Sequence, residues 1–264
     1  MTTASTVDEP GHDRGWQLSL VVYGVSAAGL GVLCLIAGDL GSVFQPVARW
    51  MPLRAALPYV SAAVLIAGGL ALLVPRTTRV AALVLTIHFA AWLLLFGAPN
   101  TIAKPTLVGN WEGLGLNATV VAGGWLLVIA ARRSASRWLG ERGETRARRL
   151  FAVGLPLVGL AHFLGAEGAT VYVPSWLPFR IGWVYLTGAG HVAAGLAIGF
   201  GVLARLAAVL EAAQITAFVI LAHIPAVVDA PNDRVQWAML VYALAIAASA
   251  WLVAITLRGR ARLA

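Results

Sequence analysis

The chain has 264 residues, of which 60% are apolar and 11% are charged, and its mean hydropathy is +0.84. Soluble domains are about 45–50% apolar and about 25% charged. Because one soluble core of this length cannot bury that excess, the composition excludes a soluble enzyme or binding domain and predicts an integral membrane protein. Cys34 is the single cysteine, which excludes an intrachain disulfide and a thiolate metal cage, and no metal site is expected.

Eight apolar runs approach or reach the length that a helix needs to cross a bilayer, about 20 residues. They predict an all-α membrane protein with eight transmembrane helices. The first run is too long for a signal-peptide core and follows an acidic tail, so it is interpreted as a retained helix. In chain order the predicted spans are Trp16–Gly38, Ala56–Val74, Arg79–Pro99, Leu114–Ala131, Leu150–Gly168, Ile181–Leu203, Arg205–Val228 and Val235–Leu257.

The distribution of Lys and Arg predicts how the helices are oriented. Fourteen of the 19 lie on one side of the predicted spans and five lie on the other. Since cytoplasmic loops carry the excess of Lys and Arg, both termini are expected in the cytoplasm. The five on the outer side are Arg49, Arg54, Lys104, Arg180 and Arg234.

Three polar segments follow from this arrangement. Cytoplasmic tails are expected at residues 1–15 and 258–264, and a basic cytoplasmic linker at 132–149. Two interpretations of the linker stay open, namely contact with anionic lipid head groups and simple solvation. The net charge of +8 is interpreted as the charge that orients the chain in the lipid bilayer, so no nucleic-acid partner is expected.

The two halves of the sequence repeat each other at a fixed offset of 126 residues. Trp50-Met-Pro-Leu-Arg54 matches Trp176-Leu-Pro-Phe-Arg180, and 21 of the 77 positions from Trp50 to Leu126 are identical. The identities include Trp, Pro, Arg and Tyr, which shared apolar composition alone would not align. Two tandem units are therefore expected at 16–131 and 150–257. Because each unit has four spans, both start on the same side, so the prediction is two parallel-repeat four-helix bundles.

Polar side chains inside the predicted spans are concentrated in the second unit. Ionisable groups at membrane depth are costly and are candidates for function. They are His162, His191, Glu211, Gln214 and His223, and the positions matched to them in the first unit are Ile36, Leu65, Leu85, His88 and Gly97. If the protein is catalytic, the chemistry is expected within residues 150–257.

Helix geometry predicts which of these side chains meet. His191 and Gln214 are expected near mid-membrane, with Glu211 on nearly the same face as Gln214 because the two are three residues apart. At about 100° per residue His223 points away from Gln214. A single cluster of all five polar residues is therefore not expected, unless Pro225 bends the helix.

The second unit carries a string of residues that resembles the DoxX family of four-helix membrane proteins. The string comprises Val173-Pro-Ser-Trp-Leu-Pro178, Val184-Tyr-Leu-Thr-Gly188, Gly195-Leu-Ala and Arg205-Leu-Ala-Ala208, with Ala161-His162-Phe163 upstream. The resemblance implies a bacterial plasma-membrane protein, and some members are linked to quinone-coupled sulfur oxidation. His191 differs from the pattern, because many members carry a glutamate there.

Three interpretations of the polar set remain open. Each side chain could hydrogen-bond a neighbouring helix. Alternatively, the set forms a quinone pocket, in which a histidine bonds a carbonyl oxygen and Glu211 relays protons from the cytoplasmic side; His191 and Glu211 are then the catalytic candidates, and His162, His191, Gln214 and His223 the cofactor-binding candidates. A third interpretation is a haem with two histidine axial ligands, such as His162 and His223.

The leading functional hypothesis is a membrane subunit of a quinone-linked redox system, with a cytoplasmic or membrane redox partner. The alternative is a non-catalytic membrane protein. It would either hold a partner enzyme on the 132–149 linker or carry a small apolar solute, and a carrier predicts a continuous cavity between the two bundles.

Overall fold

The computed structural model describes residues 14–40, 47, 51, 53–131 and 138–258, and these residues form helices and connections without a β-strand. The expected all-α fold is confirmed. The long helices of this part are α1 (Arg14–Ala37), α2 (Leu57–Leu72), α3 (Thr78–Ala103), α4 (Val108–Ala130), α5 (Glu141–Leu164), α6 (Arg180–Phe200), α7 (Ala204–Asp229) and α8 (Arg234–Thr256). The tails before residue 14 and after 258, the linker residues 132–137, and Arg49 and Trp50 lie outside the described residues.

Seven of these helices are long and apolar enough to cross a membrane, as expected of a helical multi-pass membrane protein. The exception is α2, which is apolar but has 16 residues. The predicted span 56–74 was two residues too long at its C-terminal end. Thr77 and Thr78 donate hydroxyl hydrogen bonds to the carbonyls of Ala71, Leu72 and Val74, and these bonds close the last turn of α2.

Two other helices begin earlier than predicted. Helix α5 starts at Glu141 instead of Leu150, so the second part of the expected basic linker belongs to this helix. Glu141 and Glu144 lie in its first turn, where carboxylates stabilise the positive end of the helix dipole. Helix α4 starts at Val108 instead of Leu114, which places Glu112 within the helix.

Consecutive helices pack side by side in two groups. In the first group α1 contacts α2, α2 contacts α3 and α3 contacts α4; in the second, α5 contacts α6, α6 contacts α7 and α7 contacts α8. The groups meet where α1 contacts α8, α4 contacts α5 and α4 contacts α8. Because short connections join antiparallel neighbours, alternate connections lie at opposite ends of the structure.

The two ends differ in chemistry. We call the end with the connections 73–77, 138–140 and 201–203 the basic end, because it carries Arg76, Arg79, Arg142, Arg146, Arg149, Arg205 and Arg258. We call the other end, with the connections 104–107, 165–179 and 230–233, the aromatic end, because it carries the exposed rings of Trp111, Tyr172, Trp176, Trp183 and Trp237. Tryptophan and tyrosine are typical of the head-group level of a membrane.

Glycines allow the backbones of neighbouring helices to approach closely. A Cβ atom at Gly115 of α4 would lie 2.5 Å from the carbonyl oxygen of Gly154 in α5, and one at Gly24 of α1 would lie 2.8 Å from that of Gly69 in α2. Both distances are too short for a carbon atom, so the close packing requires glycine. Small residues at helix contacts are the usual basis of helix association in membranes.

The contact between α4 and α5 gives a test of this packing. Gly115→Val should lower the free energy of unfolding by about 1–3 kcal/mol, because the added side chain forces the two backbones apart. The measurement is thermal unfolding in detergent. Gly168→Ala is the control, since no heavy atom lies within 4 Å of its Cβ position. Equal unfolding midpoints for the two variants would contradict the proposed role of Gly115.

Candidate ligand-binding cavity

A cavity of about 720 Å³ lies between α4, α5, α6, α7 and α8 and reaches the aromatic end. Its walls are mostly apolar, with side chains such as Leu116, Leu155, Ile215 and Ile246. Rings surround the part nearest the aromatic end, from Tyr172, Trp176 and Trp183. A concave apolar site with a few convergent polar groups is the usual form of a small-molecule site.

The polar centre of the cavity is a buried pair formed by His191 of α6 and Glu211 of α7. Nδ1 of His191 lies 2.7 Å from Oε1 of Glu211. The two residues are 3% and 2% exposed, so water does not screen the pair. The second carboxyl oxygen of Glu211, Oε2, is buried and has no hydrogen-bond partner among the described residues. A buried carboxyl oxygen left in this state is available to a bound molecule.

His162 of α5 lies beside this pair. Its ring centroid is 5.1 Å from that of His191. The ring also stacks on Phe218, with 6.3 Å between the centroids and 18° between the planes. Nδ1 of His162 lies 2.9 Å from the Val158 carbonyl oxygen. Because a carbonyl can only accept, Nδ1 donates, so Nε2 of the neutral ring is an acceptor.

Gln214 and His223 complete the set of predicted residues at the cavity. The Gln214 amide nitrogen donates to the Thr187 carbonyl oxygen at 3.1 Å, which fixes its side chain against α6. Nδ1 of His223 is buried and has no hydrogen-bond partner among the described residues, and its ring lies 6.4 Å from that of Tyr172. All five polar residues proposed from the sequence therefore line one cavity.

The expectation that His223 points away from Gln214 was wrong. Residues Val219–His223 form a π-helical segment directly before Pro225. Proline has no N–H to continue the α-helical ladder, and a π-helical turn inserts an extra residue. That extra residue turns His223 by about 100° toward the face that carries Gln214. With this turn, all five predicted polar residues can face one cavity.

Sequence reasoning missed several side chains of the cavity. Glu112 and Tyr242 come from α4 and α8, and Tyr172, Trp176, Trp183 and Phe218 supply its rings. Glu112 was overlooked because the predicted fourth span began two residues after it. Tryptophan near the end of an apolar helix is typical of the head-group level of a membrane. Its position in the sequence therefore does not distinguish an anchor from a ring that lines a cavity.

The positions 126 residues earlier enclose almost no space. A pocket of only about 30 Å³ lies there, among Cys34, Leu65, Phe89 and Trp92. Leu65 corresponds to His191 and Trp92 to Phe218. Trp92 packs on Phe96 at 4.5 Å, where the second half has the small Ala222. His88 corresponds to Gln214, and its Nε2 is hydrogen-bonded to the Ser61 hydroxyl and to the Trp92 indole. Large side chains in the first half therefore occupy the space that is open in the second half.

Among known protein families, residues 151–259 match the model of a family described as a domain of unknown function (DUF8561). The matched segment contains α5 from Phe151 onward and the whole of α6, α7 and α8, and so includes both residues of the His191–Glu211 pair. No curated protein and no solved structure matches the chain.

The buried pair gives a stability prediction. His191→Leu leaves the Glu211 carboxyl without its partner and should lower the free energy of unfolding by about 3–5 kcal/mol. Leu65 and Leu85 occupy the corresponding positions of the first half. The double variant His191→Leu/Glu211→Leu should therefore recover most of the lost stability. The measurement is thermal unfolding of wild type, both single variants and the double variant in one detergent. Simply additive losses would contradict the coupling.

Proposed function

We propose that this protein is a membrane subunit of a quinone-linked redox system and that the cavity between α4 and α8 binds the quinone ring. The observation that carries the proposal is the His191–Glu211 pair with its unpartnered carboxyl oxygen, enclosed by aromatic and apolar walls in about 720 Å³. A lipid-soluble ring with polar oxygens is complementary to such a site.

The residues present fit a quinone in size and chemistry. The cavity volume lies within the range of about 300–1,000 Å³ that is common for small-molecule sites. Phe218 and Trp183 offer faces for a planar ring. His191 can donate from Nε2 to a carbonyl oxygen of the ring when Glu211 supplies a proton to Nδ1. His162, whose Nε2 is an acceptor, can bond a hydroxyl of the reduced ring, and Gln214 holds its amide against Thr187 close to them. A quinone, when bound, would supply two-electron chemistry coupled to protons.

Each polar residue then has a separate task. His191 binds and orients the polar oxygen of the ring, and Glu211 fixes the His191 imidazole through Nδ1 and exchanges a proton with it. His162, held by the Val158 carbonyl, presents Nε2 as an acceptor. Phe218 and apolar side chains such as Ile215 line the space beside the pair. The electron partner is proposed to be a cytoplasmic or membrane redox protein.

The resemblance to the DoxX family supports this proposal from the sequence side. The haem interpretation has no supporting observation. The flanks of the His162 ring are occupied by His191 and Phe218. A carrier of a small apolar solute is the second proposal, because the cavity lies between α4 of the first bundle and α5–α8 of the second. The close contact of Gly115 with Gly154 limits that cavity where α4 meets α5.

We also propose that the chain is a tandem duplication, with all eight helices crossing the plasma membrane. Details of the backbone support a repeat at the same 126-residue offset. Leu53 and Phe179 both have positive φ, at 58° and 53°. The indoles of Trp111 and Trp237 donate to the carbonyls of Pro105 and Pro231 at 2.9 and 2.8 Å. Both π-helical segments precede a matched proline.

In the first helix the repeat has a different offset. A Cβ atom at Gly31 would touch Ala62 and Ile66, and one at Gly159 would touch Gly188 and Val192. These contacts pair Gly31 with Gly159, an offset of 128, so the partner of His162 is Cys34 instead of Ile36. Cys34 lines the small pocket as His162 lines the large one. The shift strengthens the correspondence between the two sites.

Helix α2 is the shortest element in this proposal, yet helical bonding continues beyond it. The amides of Ala56 and Leu57 both donate to the Leu53 carbonyl oxygen. The helical path from Leu53 to Leu72 is then about 30 Å long at 1.5 Å per residue, which matches the hydrocarbon core of a bilayer.

The proposed orientation predicts where fused reporters are active. Green fluorescent protein fused after Ala264 should fluoresce, because both termini are proposed to be cytoplasmic. Alkaline phosphatase inserted after Asn232 should be active outside. Seven spans instead of eight would put the two termini on opposite sides, so reporters at the first and last residues would then disagree.

The proposed function predicts quinone binding. Menadione and ubiquinone-1 should quench the tryptophan fluorescence of the purified protein with saturation, and His191→Leu should weaken binding at least about tenfold through the loss of one hydrogen bond of about 1.5–3 kcal/mol. Ala222→Phe, which introduces the residue found at position 96, should weaken it by filling the cavity.

His88→Leu is the matched control for this experiment. Its ring is bonded to Ser61 and Trp92 and does not line the large cavity, so binding should not change. Quenching that does not saturate, or equal effects of His191→Leu and His88→Leu, would contradict the proposal.

A further inference from the structure

Glu112 is a second carboxylate of the cavity, and it comes from the first four-helix unit. It lies on α4, four residues from the start of the helix at the aromatic end, and lines the same cavity as His191. At about 1.5 Å per residue, Glu112 lies about 6 Å and His191 about 16 Å from the aromatic ends of their helices.

The cavity therefore holds acid–base groups at successive depths. Glu112 lies nearest the aromatic end, His191 deeper, and Glu211 is bonded to His191. The titratable side chains that face this space from the other elements are His162 of α5, His223 of α7, Tyr242 of α8 and Tyr172 of the 165–179 connection. Chains of glutamate and histidine are the usual components of proton paths in membrane proteins.

The bundle is closed on the other side of the pair. Toward the basic end, Gly195 packs against α5, where a Cβ atom would lie 2.7 Å from the Ala152 carbonyl oxygen. Apolar side chains fill the space between the pair and the basic end: Phe151, Ile198, Ala208, Leu252 and Val253, none more than 7% exposed. None of these residues can carry a proton.

We infer that the His191–Glu211 pair exchanges protons with the aromatic end of the protein through Glu112, and that the first unit therefore supplies a working residue to the site of the second. This reverses the sequence-based expectation that Glu211 relays protons from the cytoplasmic side. The inference deepens the proposed function and rests on it for its purpose, since quinone chemistry requires proton exchange. Its test needs no quinone, so the two can fail separately.

Water access is tested by cysteine labelling in sealed membrane vesicles. Cys34→Ser removes the native thiol, and single cysteines are then introduced as Glu112→Cys, Gln214→Cys and Ala208→Cys. Asp233→Cys and Arg205→Cys are the references for the aromatic and basic ends. A membrane-impermeant thiosulfonate reagent should label positions 112 and 214 from the same side as position 233, and should not label position 208.

Labelling of position 214 only from the side of position 205, or no labelling at 112 and 214 while position 233 reacts, overturns the inference. These variants need only fold and insert, which their expression and the reference labelling report.

The role of Glu112 is tested by hydrogen exchange at His191. Protein labelled with ¹⁵N-histidine is transferred to D₂O, and the loss of the His191 imidazole N–H signal is followed by NMR. Because a positioned acid or base contributes about 10²–10⁴-fold to proton transfer, Glu112→Gln should slow the exchange at least about tenfold and Glu112→Asp should restore most of the rate. Glu144→Gln, at the basic end, is the control. An unchanged rate in Glu112→Gln, or the same slowing in Glu144→Gln, overturns the relay.

Discussion

The interior of a bilayer provides no water to a buried carboxyl group, and this constraint organises the second half of the protein. Glu211 is almost fully buried, so it requires a partner within the helix bundle, and His191 of the neighbouring helix supplies it. The histidine in turn requires space for its ring between α5 and α6. Glycines leave that space open, because a Cβ atom at Gly159 would lie 3.2 Å from the Cβ of His191 and one at Gly188 would lie 2.7 Å from the Cβ of His162. The buried pair, the glycines beside it and the cavity are consequences of one electrostatic requirement.

The first half meets the same packing problem without the charge. Leucines stand at the positions of His191 and Glu211, and Trp92 and Phe96 occupy the volume that the second half leaves open. Apolar residues at these positions offer no hydrogen bonds to water or to a ligand, so close packing is the more stable state. Under the proposed duplication this contrast gives the cavity its significance, because the first half is closely packed where it is apolar and the second half encloses a cavity where it is polar.

The helical composition and most of the long helices could be predicted from the sequence, because apolar runs of about 20 residues have few other interpretations. The ends of helices could not. The second end of α2 depends on hydroxyl groups of Thr77 and Thr78, and the start of α5 on carboxylates within a segment that looks like a linker. In both places side-chain chemistry moved the boundary away from the point where hydropathy changes.

The polar residues of the site could be selected from the sequence by their cost in a membrane, but their arrangement could not. His223 is displaced by a π-helical segment that an ideal helical wheel does not contain. Glu112 was missed for a different reason. In the sequence a carboxylate near the end of an apolar run resembles a loop residue, and only the structure shows that it faces the cavity formed with α5–α8. Its position matters because it belongs to a unit whose own pocket is almost filled. If α4 supplies the proton path of the second unit, retention of an apolar first unit has a physical explanation, namely that a single four-helix bundle would lack the wall that carries Glu112.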